Sequence, residues 1–495
     1  MTRDRTRYRL RLFGAAAMSL AAVAATAAPA SALTLQVLKT QKCVVANSAN
    51  IGGTVGGAST NGYTIHSRVN SITGVLDINT TAVTPPMDLP PNGVICVSSI
   101  TCSSSGVLKF NKNNDNTPVY LLVEGDVTLS AGCDIDVSGT DYQVRYGIGM
   151  DRVGGVGGPG GSDGGSCDFT FSSPFRAGEG IGPGGGGAST TGSAGGGASA
   201  VSVGQTGKNG TNPGLGGQSY SLREHRIMHG GSGGGCGSTS SGTSPEGGGG
   251  GGGVLVLAAG GTITFNHGSS YLIARGGAGG TYGGGGGGGV VRLVATKIYS
   301  GPSPTGAYGY VDVTRGGTCE GSYGGCGGDG LIKIESPDAS GSWIGNSIPQ
   351  TALYYGTVQE IFPDPALRPT LTIASVTATF AGVTKTVTRQ LQDPSVHIHT
   401  VPGVFLETPS TPSEQVVTVT LTSNNVPHTA PVKVRLNTVY DVQVKRSLVV
   451  NATTAGTGTG ALTWTASITV PGGLELGTLE AWVQNVCTPG TAGCP

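Results

Sequence analysis

The densest polar cluster in the chain is Arg223-Glu224-His225-Arg226-Ile227-Met228-His229. His225 and His229 stand four apart, so a helix would place both imidazoles on one face, an arrangement that suits zinc. The order is wrong for a metalloprotease, which needs Glu directly after the first His; here Glu224 precedes His225. The cluster reads more simply as a polar turn inside a glycine-rich insertion. Asp134, Asp136 and Asp141 offer carboxylates to calcium, a hard cation that takes several oxygen ligands. The calcium-binding nonapeptide of β-rolls is absent, and outward-facing residues of one coil are the preferred reading. Polysaccharide cleavage uses a carboxylate pair or a basic residue with calcium. Asp134/Asp136, Asp151, Arg152, Arg275 and Arg315 are of the right types. Arg275 and Arg315 each stand just before Gly-Gly, at what reads as one place in a repeat. A position made twice points to structure or binding, since a catalytic site is usually made once. His397 and His399, two apart, read as surface residues of a strand. No nucleophile elbow, phosphate loop or Ser-His-Asp arrangement can be argued. No catalytic, cofactor-binding or metal residue is therefore assigned, and no cofactor is expected.

The elements that must position these residues form a repeat. Gly247–Gly253 runs into Val254-Leu255-Val256-Leu257-Ala258-Ala259, and Gly283–Gly289 runs into Val290-Val291-Arg292-Leu293-Val294-Ala295, so Val290 answers to Val254. A third copy, Leu331-Ile332-Lys333-Ile334, follows after a slightly longer step, with Leu331 answering to Val290. The earliest, Val119-Tyr120-Leu121-Leu122-Val123, lacks the glycine lead-in. Most copies continue through a second and a third short β run, so one repeat is three strands and a glycine loop. Strands this short cannot bury a face alone, but stacked coils bury each against the next. Period-2 alternation sets Ile135/Val137 against Asp134/Asp136 and Val311/Val313 against Asp312/Thr314, placing the apolar set inward and the acids outward. Three strands per repeat fit a right-handed parallel β-helix of triangular section.

Composition bounds the rest. The 495 residues include 91 glycines, with 11% charged and 5% aromatic residues, so little helix is expected. Five arginines before position 12, an Ala/Leu-rich run over 12–28 and the small-x-small signature Ala30-Ser31-Ala32 read as a signal peptide cleaved after Ala32. Its removal takes five bases and one acid, leaving 23 basic against 27 acidic residues. A mature charge of about −4 argues against nucleic acid as a partner. No later run is long and apolar enough to span a bilayer. The ten cysteines all follow Ala32, and an even number in an exported chain reads as disulfides. Close spacing suggests Cys96/Cys102, Cys319/Cys326 and Cys487/Cys494, although spacing does not determine connectivity. Residues 1–32 are thus read as signal peptide and 33–118 as an N-terminal β region and solenoid cap. The glycine-rich solenoid spans 119–350 with an insertion at 147–246, a linker covers 351–368, and a β-sandwich fills 369–495. The insertion reads as disordered by composition, while its regular Gly-Gly spacing leaves ordered polyglycine packing open. The sandwich rests on the alternating runs 416–421, 432–436, 462–470 and 479–483.

The run Val107-Leu108-Lys109-Phe110-Asn111-Lys112-Asn113, then 116–122, Gly125-Asp126-Val127-Thr128-Leu129 and Ile135-Asp136-Val137-Ser138-Gly139, resembles the opening of glycine-rich secreted bacterial proteins with a pectin-lyase-like β-helix. Gly158-Pro159-Gly160-Gly161-Ser162-Asp163-Gly164-Gly165 is similar too. The resemblance covers roughly residues 107–336 and implies a fold and an extracellular location. It carries no assigned activity, and hence no catalytic residues. The fold expected is all-β: a right-handed parallel β-helix with glycine-rich loops, followed by an immunoglobulin-like sandwich. The function expected is a secreted or cell-surface structural or binding protein (adhesion, matrix or glycan contact) that is not catalytic. Its partners would be a polysaccharide or another surface protein, with self-association open. The alternative is a carbohydrate-active enzyme, a polysaccharide lyase or glycoside hydrolase, on a β-helix core.

Overall fold

The computed structural model describes residues 75–483, with breaks of which the longest are 79–85, 145–151, 169–175, 221–228, 301–308, 338–345, 357–369, 389–403 and 408–414. The described residues contain strands and no α-helix. Three all-parallel sheets carry the solenoid. The first orders Val94–Val97, Val119–Val123, Val254–Ala259, Val290–Val294, Leu331–Glu335 and Leu353–Gly356. The second orders Val75–Asp77, Ser99–Cys102, Val127–Leu129, Thr262–Phe265 and Lys297–Ser300. The third orders Met87–Asp88, Gly106–Asn111, Cys133–Asp136, Tyr271–Ile273, Tyr310–Asp312 and Asn346–Ile348. Successive coils therefore contribute one strand to each sheet, as the three-strand repeat requires. Val254 pairs with Val290 and Val290 with Leu331, so the correspondences read from the repeat are the true registers. The coil holding Val119–Val123 stacks directly on that holding Val254–Ala259, although the whole insertion lies between them in sequence. Residues 353–356, inside the stretch read as linker, form the last strand of the first sheet.

Each sheet turns alternate residues inward. Leu121, Leu257 and Leu293 from the first sheet meet Val127, Ile263 and Ile298 from the second, and Ile135, Leu272 and Val311 from the third. All are fully buried, at about 25 cal/mol per Å² of apolar surface removed from water. Ile135/Val137 and Val311/Val313 face this core, as their alternation requires.

The glycine runs are ordered, and their geometry explains why they must be glycine. The N–H groups of Gly248 and Gly251 donate to Gly165 and Ser162, those of Gly249 and Gly252 to Gly284 and Gly287, and those of Gly250 and Gly253 to Thr140 and Val137. Their carbonyls accept in the same rhythm: Gly248/Gly251 from Gly155/Gly158, Gly249/Gly252 from Gly234/Gly231, and Gly250/Gly247 from Gly277/Gly280. Every third residue thus faces the same neighbour. That is the signature of an extended left-handed helix of three residues per turn, bonded here to the runs around it. Gly283–Gly289 follows the same rule. A Cβ on Gly251 would overlap the Gly231 carbonyl, and one on Gly286 the Gly250 carbonyl. The space between runs holds backbone only. The glycine runs leave the corner between the third and first sheets as hairpins, stack sideways into a slab, and are extended by the insertion. The insertion's described residues, read as disordered by composition, join this slab. Composition-based disorder presumes that a chain without large side chains has nothing to bury, and here the backbone itself is buried.

The slab ends where side chains begin. In the outermost pair of runs, Gly204 and Gly207 donate to Gly217 and Gly214, Gln205 and Lys208 to Cys326 and Tyr323, and Gly214 and Gly217 to Ala194 and Gly197. The remaining phase holds Val203, Thr206, Leu215 and Gln218, all exposed. Their side chains stop a further layer.

Beyond the solenoid lie two antiparallel four-stranded sheets. One comprises Val383–Thr388, Thr370–Phe380, Gln415–Asn424 and Leu462–Val470; the other Val404–Glu407, Leu474–Val483, Val432–Asp441 and Leu448–Asn451. They enclose one core that includes Ile373, Val419, Val434, Ala466, Ile468 and Ala481. Trp464 is buried there with its Nε1 donating to Ser423 Oγ at 2.8 Å. All four runs expected from alternation are strands.

Candidate functional site

The carboxylates singled out for chemistry sit on the outer side of the third sheet and its exit corner. Asp134 and Asp136 stand two apart on Cys133–Asp136, and Tyr271, Ile273 and then Tyr310, Asp312 continue the same two rows on the next coils. Asp134 Oδ1 accepts from the main-chain N–H of Tyr271 at 3.1 Å. Asp126 does the same for Thr262 at 2.7 Å and Asp141 for Ala278 at 2.7 Å. Each of these acids reaches one coil onward and fastens a backbone amide there. Asp136 caps Ser138 N at 2.9 Å, and Asp312 caps Thr314 N at 2.9 Å, closing the same turn two coils apart. Lys109 Nζ lies 3.1 Å from Asp136, and Arg275 Nε donates to Asp312 at 2.6 Å. The outward acids of this face are main-chain caps and ion-pair partners.

Burial raises the Asp134 carboxyl to about 6; the Tyr271 N–H pulls it down, neighbouring Asp136 raises it further, and Arg275 lowers it. Arg275 is held more firmly protonated, chiefly by its hydrogen bond to Asp312. Asp312 was expected to be solvent-facing; it does point outward, yet only 2% of it is exposed because Arg275 lies across it. The rings of Tyr271 and Tyr310 stack at 5.1 Å between centroids, filling the row beside Asp134. Because each ring covers the other, only the outer faces of the pair remain for a ligand.

Arg275 and Arg315 do not occupy one repeat position. With Tyr271 opposite Tyr310, the register brings Arg275 level with Thr314 and Arg315 level with Gly276. Arg275 binds Asp312, whereas Arg315 lies 3.5 Å from Asp329 at the slab edge. One residue between Asp312 and Arg315, absent between Ile273 and Arg275, makes the difference. The expected Cys96/Cys102 pair is also corrected: Cys102 bonds Cys133, which faces it on the next coil, and Cys96 is in another disulfide. Spacing along the chain is a poor guide in a solenoid, where a separation of 31 returns the chain to the same corner. The Cys167–Cys236 bond joins cysteines that spacing did not suggest as a pair. Cys326 is disulfide-bonded, while Cys319, Cys487 and Cys494 lie outside the described residues. So do Glu224, His225, Asp151, His397 and His399. His229 is described, in extended and buried chain rather than a helix, and Arg152 lies on a short strand paired with Cys167. Among the described residues no group of three His, Cys, Asp or Glu could hold a metal ion, so the calcium suggestion for Asp134, Asp136 and Asp141 gains no support.

The second sheet's outer side was not singled out. Thr101, Thr128 and Thr264 stand in one register row that ends at Tyr299, with Thr262 and Lys297 in the row beside. Lys297 Nζ lies over the Tyr299 ring at 5.7 Å. Strand spacing sets these hydroxyls roughly 4.8 Å apart on a flat face. The first sheet's outer side is closed: Arg292, Lys333 and Glu335 are wholly buried there, with Glu335 bridging Arg292 at 2.8 Å and Lys333 at 2.9 Å. Their alternation with apolar neighbours was visible in sequence; the cover over them was not.

No protein-family model, curated protein or solved structure matches the chain. Among the described residues no helix is long and apolar enough to cross a membrane.

Proposed function

We propose that this chain is an exported, cell-surface or matrix protein that binds extended glycan along its solenoid faces without cleaving it. The reading includes a signal peptide cleaved after Ala32, a right-handed winding of the coils, an immunoglobulin-like class for the sandwich, and the pectin-lyase-like resemblance. The right-handed winding follows the strong chirality preference of parallel strand crossovers. Buried disulfides accord with an oxidising compartment. The observation that carries the non-catalytic reading is the engagement of Asp126, Asp134, Asp136, Asp141 and Asp312 by main-chain amides. A catalytic carboxylate needs an oxygen aimed at substrate and a partner acid or base placed around it. The threonine row with Tyr299 offers hydroxyls and an exposed ring, the chemistry of shallow sugar contact.

A second reading keeps one observation in its favour: a carboxyl raised to about 6 beside another acid is a general-acid feature. That reading makes the chain a glycoside hydrolase or lyase acting through Asp134. Oxidised protein starting at Leu33 should be incubated with a polysaccharide panel, with and without calcium. New reducing ends and unsaturated products are assayed, with pull-down of the same samples. Retention of a polysaccharide without product is expected. Product above a heat-killed control, lost in Asp134→Asn, would establish the enzyme reading instead.

A further inference from the structure

The glycine slab has almost nothing apolar to hold it. Between residues 138 and 253 the buried apolar side chains among the described residues are Ala177, Ala188, Ala194, Ala198, Ala200 and the two cysteines Cys167 and Cys236. Cys167, Ala177, Ala188 and Cys236 form the one hydrophobic cluster there. Glycine loses the most conformational entropy on ordering, and a backbone hydrogen bond contributes little net stability against it. The slab therefore lies near the balance point between ordered and disordered chain. The Cys167–Cys236 bond closes a loop of 69 residues across this region. In the chain-entropy account, that corresponds to on the order of a thousandfold in the equilibrium for ordering.

The same disulfide stands one hydrogen bond from the run that holds the terminal sandwich. Cys236 N donates to Gly178 O at 3.0 Å. A little further on, at the Gly182 turn (φ +101°), the Gly182 N–H donates to Glu480 at 3.0 Å and its carbonyl accepts from Arg435 Nη1 at 2.7 Å. Arg435 and Glu480 are opposite each other on paired strands of the sandwich, and both are buried. Gly180 and Gly186 are bonded to each other, and Gly233 ties both sides of this turn to the run that ends at Cys236.

We propose that Cys167–Cys236 is a redox latch: its oxidation orders the inserted part of the slab and thereby seats the terminal sandwich on it. While the two thiols are reduced, the insertion stays unformed and the sandwich is tethered but undocked. Closure removes two protons and two electrons from the thiols and forms one S–S bond; a disulfide oxidant such as oxidised glutathione accepts them and becomes two thiols. The latch is independent of what the solenoid binds.

Hydrogen exchange on the full mature chain tests it, comparing wild type with Cys167→Ala/Cys236→Ala and, as control, Cys102→Ala/Cys133→Ala. The first variant should speed exchange by a hundredfold or more at 178–189 and 229–238, and should expose Arg435 and Glu480 peptides. Peptides spanning 254–265 should keep wild-type protection. Refolding reduced wild type with oxidised glutathione should restore slab protection, and refolding without it should not. Unchanged protection at 178–189 in the first variant would overturn the latch. So would equal loss of protection in the solenoid, or an effect of the control as large on the slab.

Discussion

Asp134 shows how residue type and position part company. A half-exposed carboxyl raised to about 6 resembles a catalytic acid, yet its oxygen fastens the next coil's amide. Because folding raises this pKa from 3.8, the group favours the folded state most below about pH 4, and that contribution is lost as pH rises through about 6. Asp134→Asn keeps an oxygen for Tyr271 N and removes the cost of the buried charge. The melting temperature of the variant relative to wild type should therefore rise between pH 4 and pH 7.5, and a difference that stays flat across that range would sink the assignment. At the Cys102–Cys133 bond, replacement of both cysteines by Ala should cost about 3–4 kcal/mol by loop closure, read by denaturant titration.

At the scale of elements, the glycine runs behave as a lattice with three phases, and each phase predicts the effect of a side chain. Gly251→Ala puts a methyl onto the Gly231 carbonyl and should cost about 3 kcal/mol or more. Gly460→Ala, with nothing within 4 Å of the added Cβ, should change stability by less than about 0.5 kcal/mol. Paired unfolding curves check both, and equal effects would show that the runs are not packed. The coils obey a different rule, period two, and their register was readable because each strand repeats an apolar alternation that only one pairing buries.

For the whole molecule, the decisive arrangement is a solenoid with a slab grown sideways from one corner and a sandwich seated on it through Gly182. The slab's outer layer carries Val203, Thr206, Leu215 and Gln218 in the phase that faces solvent. Replacing all four with glycine should expose a bare polyglycine face and produce concentration-dependent association in sedimentation. Wild type should not associate through this face. A variant that sediments as monomer at every concentration would contradict the capping role. Arg435→Met should loosen the sandwich from the slab and leave the solenoid's hydrogen-exchange protection intact, because the contact it breaks is confined to the Gly182 turn.

Sequence alone determined the parallel stacking of coils and its registers, Val254 on Val290 and Val290 on Leu331, since alternating apolar positions at a regular repeat can be buried together in essentially one way. It also determined four of the eight described strands of the sandwich, those where alternation is long and uninterrupted. Three features instead depend on contacts made only in the folded chain. Polyglycine carries no side-chain pattern, so whether it orders depends on neighbours brought in from distant parts of the chain. The pairing of Cys102 with Cys133, and of Cys167 with Cys236, depends on which corner each reaches. The roles of Asp126, Asp134 and Asp141 depend on amides of the next coil, beyond the whole insertion, that no local spacing brings into view.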